Sequence, residues 1–340
     1  MVPSLFFSRI CCALAVALCA PAWAGAPLAT QPSAAAGERD VSQWLMRIHE
    51  ASRQRSYVGT FVVLSAAGGM SSSRIWHACD GAQQLERVEA LTGTPRSTFR
   101  HNDHVITFLP DLKLARVEQR ESLGLFPNLL QAPDSAIPEF YAARHVGTER
   151  VAGFDADVVV LKPRDGLRFG YRIWSEKRTG LAMQLQTLDT DGRVLEQVAF
   201  SELEIDAPVR MDKLSRMMGN RAGYKVERPD LAKTTAAAEG WQLKAPVPGF
   251  RAMSCYRRPF PAGGVGERTM QWIFSDGLAT VSLFVAPYDA QRNAQAIELV
   301  MGATRTLMQR VADDWWLTAV GEVPMQTLKA FAGSLERVAK

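Results

Sequence analysis

Leu167-Arg168-Phe169-Gly170-Tyr171-Arg172-Ile173-Trp174 sets Leu167, Phe169, Tyr171 and Ile173 on one face and Arg168, Gly170, Arg172 and Trp174 on the other. A two-residue period of this kind marks a strand with one face in a core or cavity and the other half wet. Upstream, Phe154 to Leu161 is a second apolar run, joined to the first through the turn Arg164-Asp165-Gly166. Downstream, Leu181 to Leu188 and Arg193 to Ile205 flank Thr190-Asp191-Gly192. Turns ending in Asp-Gly between such runs are strong hairpin signals. Sequential hairpins mean antiparallel neighbours, and the strand–helix–strand rhythm of a doubly wound sheet is missing.

Further toward the N-terminus, Asp40 is placed to cap a helix, with Gln43 in the capping-box position. Val41, Trp44, Leu45 and Ile48 follow at helical spacing and predict a helix ending near Arg55. Tyr57 to Ser65, Ser73 to Cys79, Gln84 to Leu91 and His104 to Leu109 then read as strands punctuated by Gly, Asp or Pro. Glu118 to Tyr141, broken by Pro127, Pro133 and Pro138, reads as short helical turns and loop packed over an open face of the sheet. The resulting expectation is an α+β, strand-rich fold whose N-terminal part is a curved antiparallel sheet wrapped round helices and loops. An ordinary two-layer core without a cavity is the alternative. If a cavity exists, Phe61, Val63, Ile75, Phe169, Tyr171 and Ile173 are the candidates to line it.

Residues 211–240 contain few groups able to hold a hydrophobic face and read as a linker, which makes 39–210 one domain and 241–340 a second. The second has its own hairpin, Arg268 to Phe274 and Leu278 to Ala286 about Ser275-Asp276-Gly277. Thr304 to Val311 and Trp315 to Gly321 add two more strands. A closing helix is expected over Met325 to Val338, with Leu328, Phe331, Leu335 and Val338 in register. The expectation is a small α+β unit.

Residues 1–24 read as a signal peptide. Arg9 precedes an apolar run from Ile10 to Ala20, and Ala22-Trp23-Ala24 has the small-x-small cleavage pattern. An apolar run of about ten residues is too short to cross a bilayer as a helix. The Ala-, Pro- and Ser-rich segment 25–38 cannot offset the entropy of ordering itself and reads as a flexible tether. Thirty-nine basic and 35 acidic residues give a formal net charge of +4, too balanced for a nucleic-acid binder.

The usual catalytic constellations are missing. There is no Gly-x-Ser-x-Gly elbow, dinucleotide fingerprint or phosphate-binding glycine loop, and His49-Glu50 lacks the second histidine of a zinc protease. His101, Asp103 and His104 fall in a hairpin connection where polar residues belong anyway, so no metal and no cofactor is expected. Cys79 and Cys255 remain beyond the signal segment, either paired across the domains or as separate thiols. Arg257 and Arg258, between Tyr256 and Pro259-Phe260, suit recognition of partner carboxylates. Their competing role is to hold the domain boundary.

Taken in order, several short motifs resemble the MucB/RseB family. They include Ser56-Tyr57-Val58-Gly59-Thr60-Phe61, Arg74-Ile75-Trp76-His77, Arg150-Val151-Ala152-Gly153 and Arg168-Phe169-Gly170-Tyr171. Pro248-Gly249-Phe250, Arg257-Arg258-Pro259, Ser275-Asp276-Gly277-Leu278 and Val320-Gly321-Glu322-Val323-Pro324 continue the series. The resemblance runs from about Trp44 to Val338; Leu181-Ala182 and Val247-Pro248 depart from the family's pattern without removing a functional group. It implies the open half-barrel of the outer-membrane lipoprotein carriers, joined to a smaller C-terminal domain. It also implies a non-enzymatic periplasmic regulator that binds the periplasmic segment of a single-pass transmembrane anti-sigma factor and shields it from proteolysis. Lipopolysaccharide or another acylated lipid would then release the partner. A lipid or lipoprotein carrier without a regulatory role is the alternative, and association of two copies stays open.

Overall fold

Asp40 starts the first helix by a reciprocal cap: its Oδ1 accepts the Gln43 N–H at 2.8 Å, and Gln43 Oε1 accepts the Asp40 N–H at 3.2 Å. Helix α1 (Val41–Gln54) then buries Val41, Trp44, Leu45 and Ile48 against Tyr141, Val159, Leu161, Tyr171 and Ile173. Fourteen residues are marginal as an isolated helix, so this buried stripe is what holds it. The structure is a computed structural model describing residues 39–81, 83–119, 126, 136–228, 231–259, 268–291 and 295–338. The signal-peptide and tether readings, and most of the proline-interrupted stretch, lie outside those residues.

Eleven antiparallel strands follow α1: β1 (Tyr57–Ser65), β2 (Met70–Cys79), β3 (Gln84–Ala90), β4 (Ser97–His101), β5 (His104–Leu109), β6 (Leu114–Gln119), β7 (Tyr141–Val151), β8 (Phe154–Pro163), β9 (Gly170–Glu176), β10 (Ala182–Leu188) and β11 (Val194–Ile205). A short helix α2 (Ile137–Phe140) precedes β7. The chain meanders outward from β1 to β6, crosses to the far edge, and returns from β7 to β11, which pairs with β1 from Tyr57↔Ile205 to Ser65↔Glu196. Helix α3 (Met211–Gly219) then packs Leu214 and Met218 against Leu85, Phe99 and Phe108 on the other face. Strand β12 (Lys225–Glu227) joins β6 in parallel and completes a twelve-stranded sheet.

The second sheet has seven strands in the order β13-β15-β16-β17-β20-β19-β18. They are β13 (Ala232–Lys233), β15 (Arg251–Pro259), β16 (Arg268–Ser275), β17 (Thr280–Pro287), β18 (Ile297–Met301), β19 (Thr304–Val311) and β20 (Trp315–Gly321). Helix α4 (Met325–Ser334) packs Leu328 and Phe331 into a core with Phe250, Phe274, Leu283 and Leu317. Strands β14 (Trp241–Leu243) and β21 (Leu335–Arg337) form a separate pair.

The fold is α+β, strand-rich and two-sheeted, with four corrections. The large sheet is open and not strongly curled: β12 and β7 are its unjoined edges. It is not wholly antiparallel, because β12 adds in parallel. Residues 211–240, read as lacking groups to pack, include α3, β12 and β13, with Leu214, Met218 and Ala236 buried. The closing helix stops at Ser334, where Leu335–Arg337 turns extended to pair with β14.

Candidate functional site: an amphipathic cavity and a buried charge

One cavity, ≈ 570 Å³, lies along the face of the large sheet that also carries α1. Because side chains alternate, odd-numbered residues of β1 and β9 share this face. Phe61, Val63, Tyr171 and Ile173 line the cavity together with Val88, Leu161, Leu185 and Val198. Phe126 closes in with its ring 6.0 Å from Phe61 and 5.1 Å from Phe200. Leu278 and Glu322, from the second sheet's loops, complete the wall.

Two of the six residues expected here lie elsewhere. Ile75 is 1% exposed and packs in the core with Tyr57, Ala51 and Val158. Phe169 precedes β9, buried, with the Arg305 guanidinium 5.2 Å from its ring. Alternation assigned both to an apolar face but carried no information on which parts of that face stay open.

The cavity's other end is charged. Glu86, Arg96, Arg116 and Glu118 line it beside Thr98 and Thr107. Glu86 receives Arg100 Nη2 at 2.9 Å and lies 3.5 Å from His77 Nδ1, whose ring stacks on Tyr57 at 4.7 Å. Burial pushes the Glu86 carboxyl up, but Arg100 and His77 outweigh it, so Glu86 stays below its ordinary range and ionised. Glu196, also lining the cavity, is raised by burial. A long apolar wall with an ionised end suits an amphiphile.

Beside the cavity, Arg168 is buried with no exposed side chain, and so is its partner Asp276. Its Nε donates to Asp276 Oδ2 at 2.8 Å, Nη2 to the Pro248 carbonyl at 2.6 Å, and Nη1 to Asp165. Phe140 and Phe250 lie over the guanidinium at 4.2 and 4.9 Å, and Tyr141 Oη donates to Asp276 at 3.1 Å. This centre ties β7 and the approach to β9 to the β16–β17 turn. The Asp-Gly turn signal hinted at Asp276 only as a turn residue, and the alternation placed Arg168 on the wet face. Nothing local in the sequence signals a charge pair 108 residues apart.

Arg257 donates to Glu239, and Arg258 Nη1 to Gln271 at 3.0 Å; among the described residues neither pairs with an acid of the first sheet. On the outer side of their strand β15, the two residues of β13 pair with Tyr256 and Arg257. Cys79 and Cys255 are free thiols, and burial with Glu239 nearby pushes Cys255 up to about 11. Among the described residues no three His, Cys, Asp or Glu side chains group to hold a metal ion. His101 meets Gln83 instead, 3.2 Å from its Nε2.

Two sheets, an amphipathic cavity and a buried charge centre are the architecture of a binding protein. The model of the MucB/RseB N-terminal domain matches residues 40–218, and that of the MucB/RseB C-terminal domain matches 235–336. The chain belongs to the MucB/RseB family. It is 30% identical over 306 residues to the sigma factor AlgU regulatory protein MucB of Pseudomonas aeruginosa, across 87% of this chain and 90% of that one. Against the sigma-E factor regulatory protein RseB of Salmonella typhimurium it is 28% identical over 301 residues, 86% and 89% of the two chains. The crystal structure of MucB in complex with MucA(peri) superposes with a TM-score of 0.69 at 28% identity, covering 88% of this chain and 100% of that one. The crystal structure of MucB gives 0.60 at 25% identity, covering 87% and 97%.

Proposed function

We propose that this chain is a periplasmic regulator that binds the periplasmic segment of a single-pass transmembrane anti-sigma factor. By doing so it shields that segment from proteolysis and restrains the stress sigma factor. The observation that carries the reading is continuity: the likeness runs through both domains of a relative solved with MucA(peri) bound. The domain division that goes with it is 39–210 and 241–340, with 211–240 connecting them by way of α3 and β12, which pack on and extend the large sheet.

The cavity adds the release step. The open large sheet presents Phe61, Val63, Tyr171 and Ile173 to an acyl chain of lipopolysaccharide or a related lipid. Glu86, Arg96 and Arg116 meet its polar end. The same cavity favours a second reading, a lipid or lipoprotein carrier without a regulatory role.

One experiment separates them. The chain without residues 1–24 is titrated by calorimetry with the soluble periplasmic segment of its anti-sigma factor, with and without lipopolysaccharide. Saturable binding that protects the segment from added protease, weakened by the lipid, is the expected result. Lipid uptake with no binding of the segment would leave the carrier reading in its place.

A further inference from the structure

The two ends of the large sheet differ in what their connections expose. At one end stand Asp80-Gly81, Asn102-Asp103, Ala152-Gly153 and the polar turn from Lys177 to Gly180. Among the described residues, no exposed large apolar side chain belongs to these turns. The opposite end carries five. Leu64 and Met70 pair across the β1–β2 hairpin, Leu91 follows β3, Leu112 lies between β5 and β6, and Val194 starts β11. The β1–β2 hairpin has no charged residue from Ser56 to Ser73, and its tip is Ala66-Ala67-Gly68-Gly69.

The second sheet adds two more apolar groups at the same place. A Cβ on Gly302, in the β18–β19 turn, would stand 2.7 Å from Ser65 Oγ and 3.0 Å from Glu196 Oε2. That turn therefore lies against the ends of β1 and β11, and beside it Val300 and Met301 are 62% and 70% exposed. The cavity reaches this rim as well: Val63, Arg96, Leu109 and Glu196 line it at the same end of the sheet. Rim charges are mixed in sign, Asp111 beside Lys113 and Asp191 beside Arg193, so charge alone selects no partner.

Two arguments choose the occupant. A folded partner needs a continuous complementary face, whereas separate aliphatic tips on neighbouring turns suit a fluid lipid interface, which each enters singly. The cavity gives the second. An acyl chain reaching it through water would expose its length, and a rim resting on lipid removes that crossing. We infer that this rim seats end-on on a phospholipid bilayer, with Leu64, Met70, Leu91, Val300 and Met301 among the headgroups and the near end of the cavity against the lipid. The choice of a bilayer rests on the acyl-chain reading of the cavity given above.

The test is flotation of the chain without residues 1–24 on vesicles of phosphatidylethanolamine and phosphatidylglycerol. Met70→Ser combined with Met301→Ser changes two exposed side chains and should leave the melting temperature unchanged. It should lower partition onto the vesicles by about tenfold or more. Met253→Ser, which changes an exposed methionine on β15, should float as the wild type does. A wild type that stays off the vesicles, or a double variant that floats undiminished, overturns the assignment. So does a double variant that, without vesicles, sediments as a monomer where the wild type is a dimer, which would make the rim a contact between copies. Uptake of a fluorescent fatty acid added without vesicles reads the cavity separately. Rim-dependent flotation without uptake upholds the docking and removes the acyl-chain reading; uptake without flotation does the reverse.

Discussion

Arg168 holds a full charge where no water reaches it, and only its arrangement of partners makes that tolerable. Replacing it with Ala leaves Asp276 buried and unpaired; the expected loss is about 3–5 kcal/mol, read by chemical denaturation. Gly249 is part of the same fit. At φ +78° a Cβ would stand 2.0 Å from Arg168 Nη2 and 2.8 Å from Phe140, so Gly249→Ala should lower the melting temperature by clash and backbone strain together. Glu196 behaves oppositely to a paired acid. Its carboxyl is raised in the folded state above about 4.3, the unfolded value, so the fold binds its proton more tightly and loses stability as pH rises between the two values. Glu196→Gln should therefore raise the melting temperature near neutral pH and leave it unchanged near pH 4, a difference that thermal scans at both pH values would read. Alternation legibly placed Phe61 and Tyr171 on one face. It misread Arg168 because an arginine is assigned to water unless its partner is known, and Asp276 is distant in sequence.

The elements most legible in the sequence were those with local signals. The Asp40 cap, the Asp-Gly hairpin turns and the α1 stripe each act within a few residues, and each is present. Helix α3 was missed because the value of its two buried residues, Leu214 and Met218, comes from Leu85, Phe99 and Phe108 on distant strands. Leu214→Ala should cost about 2–5 kcal/mol, far more than a linker residue would, and a denaturation curve checks it. The strand pairing of Leu335–Arg337 was missed for a related reason. The helical period continues through Leu335, but the edge of β14 offers backbone partners that three more helical residues could not match.

At the scale of the molecule, the two sheets are tied together through several points. Besides Arg168–Asp276, Thr327 Oγ1 donates to the Leu167 carbonyl at 2.7 Å and Gln326 to that of Gly166. Calorimetric scanning of the wild type should show one cooperative transition, and Arg168→Ala should resolve it into two. The strand order carries a different consequence, one of timing. Strand β1 pairs with β11 about 140 residues later, a separation that makes closure slow. A chain appearing N-terminus first completes β1 to β6 while the flank of β1, with Phe61 and Val63, still lacks its neighbour. Until β11 is made, that flank is an unpaired apolar template open to any passing strand. Substitutions that weaken the β10–β11 hairpin should therefore first appear as lower soluble yield during production, before any change in the melting of the molecules that succeed.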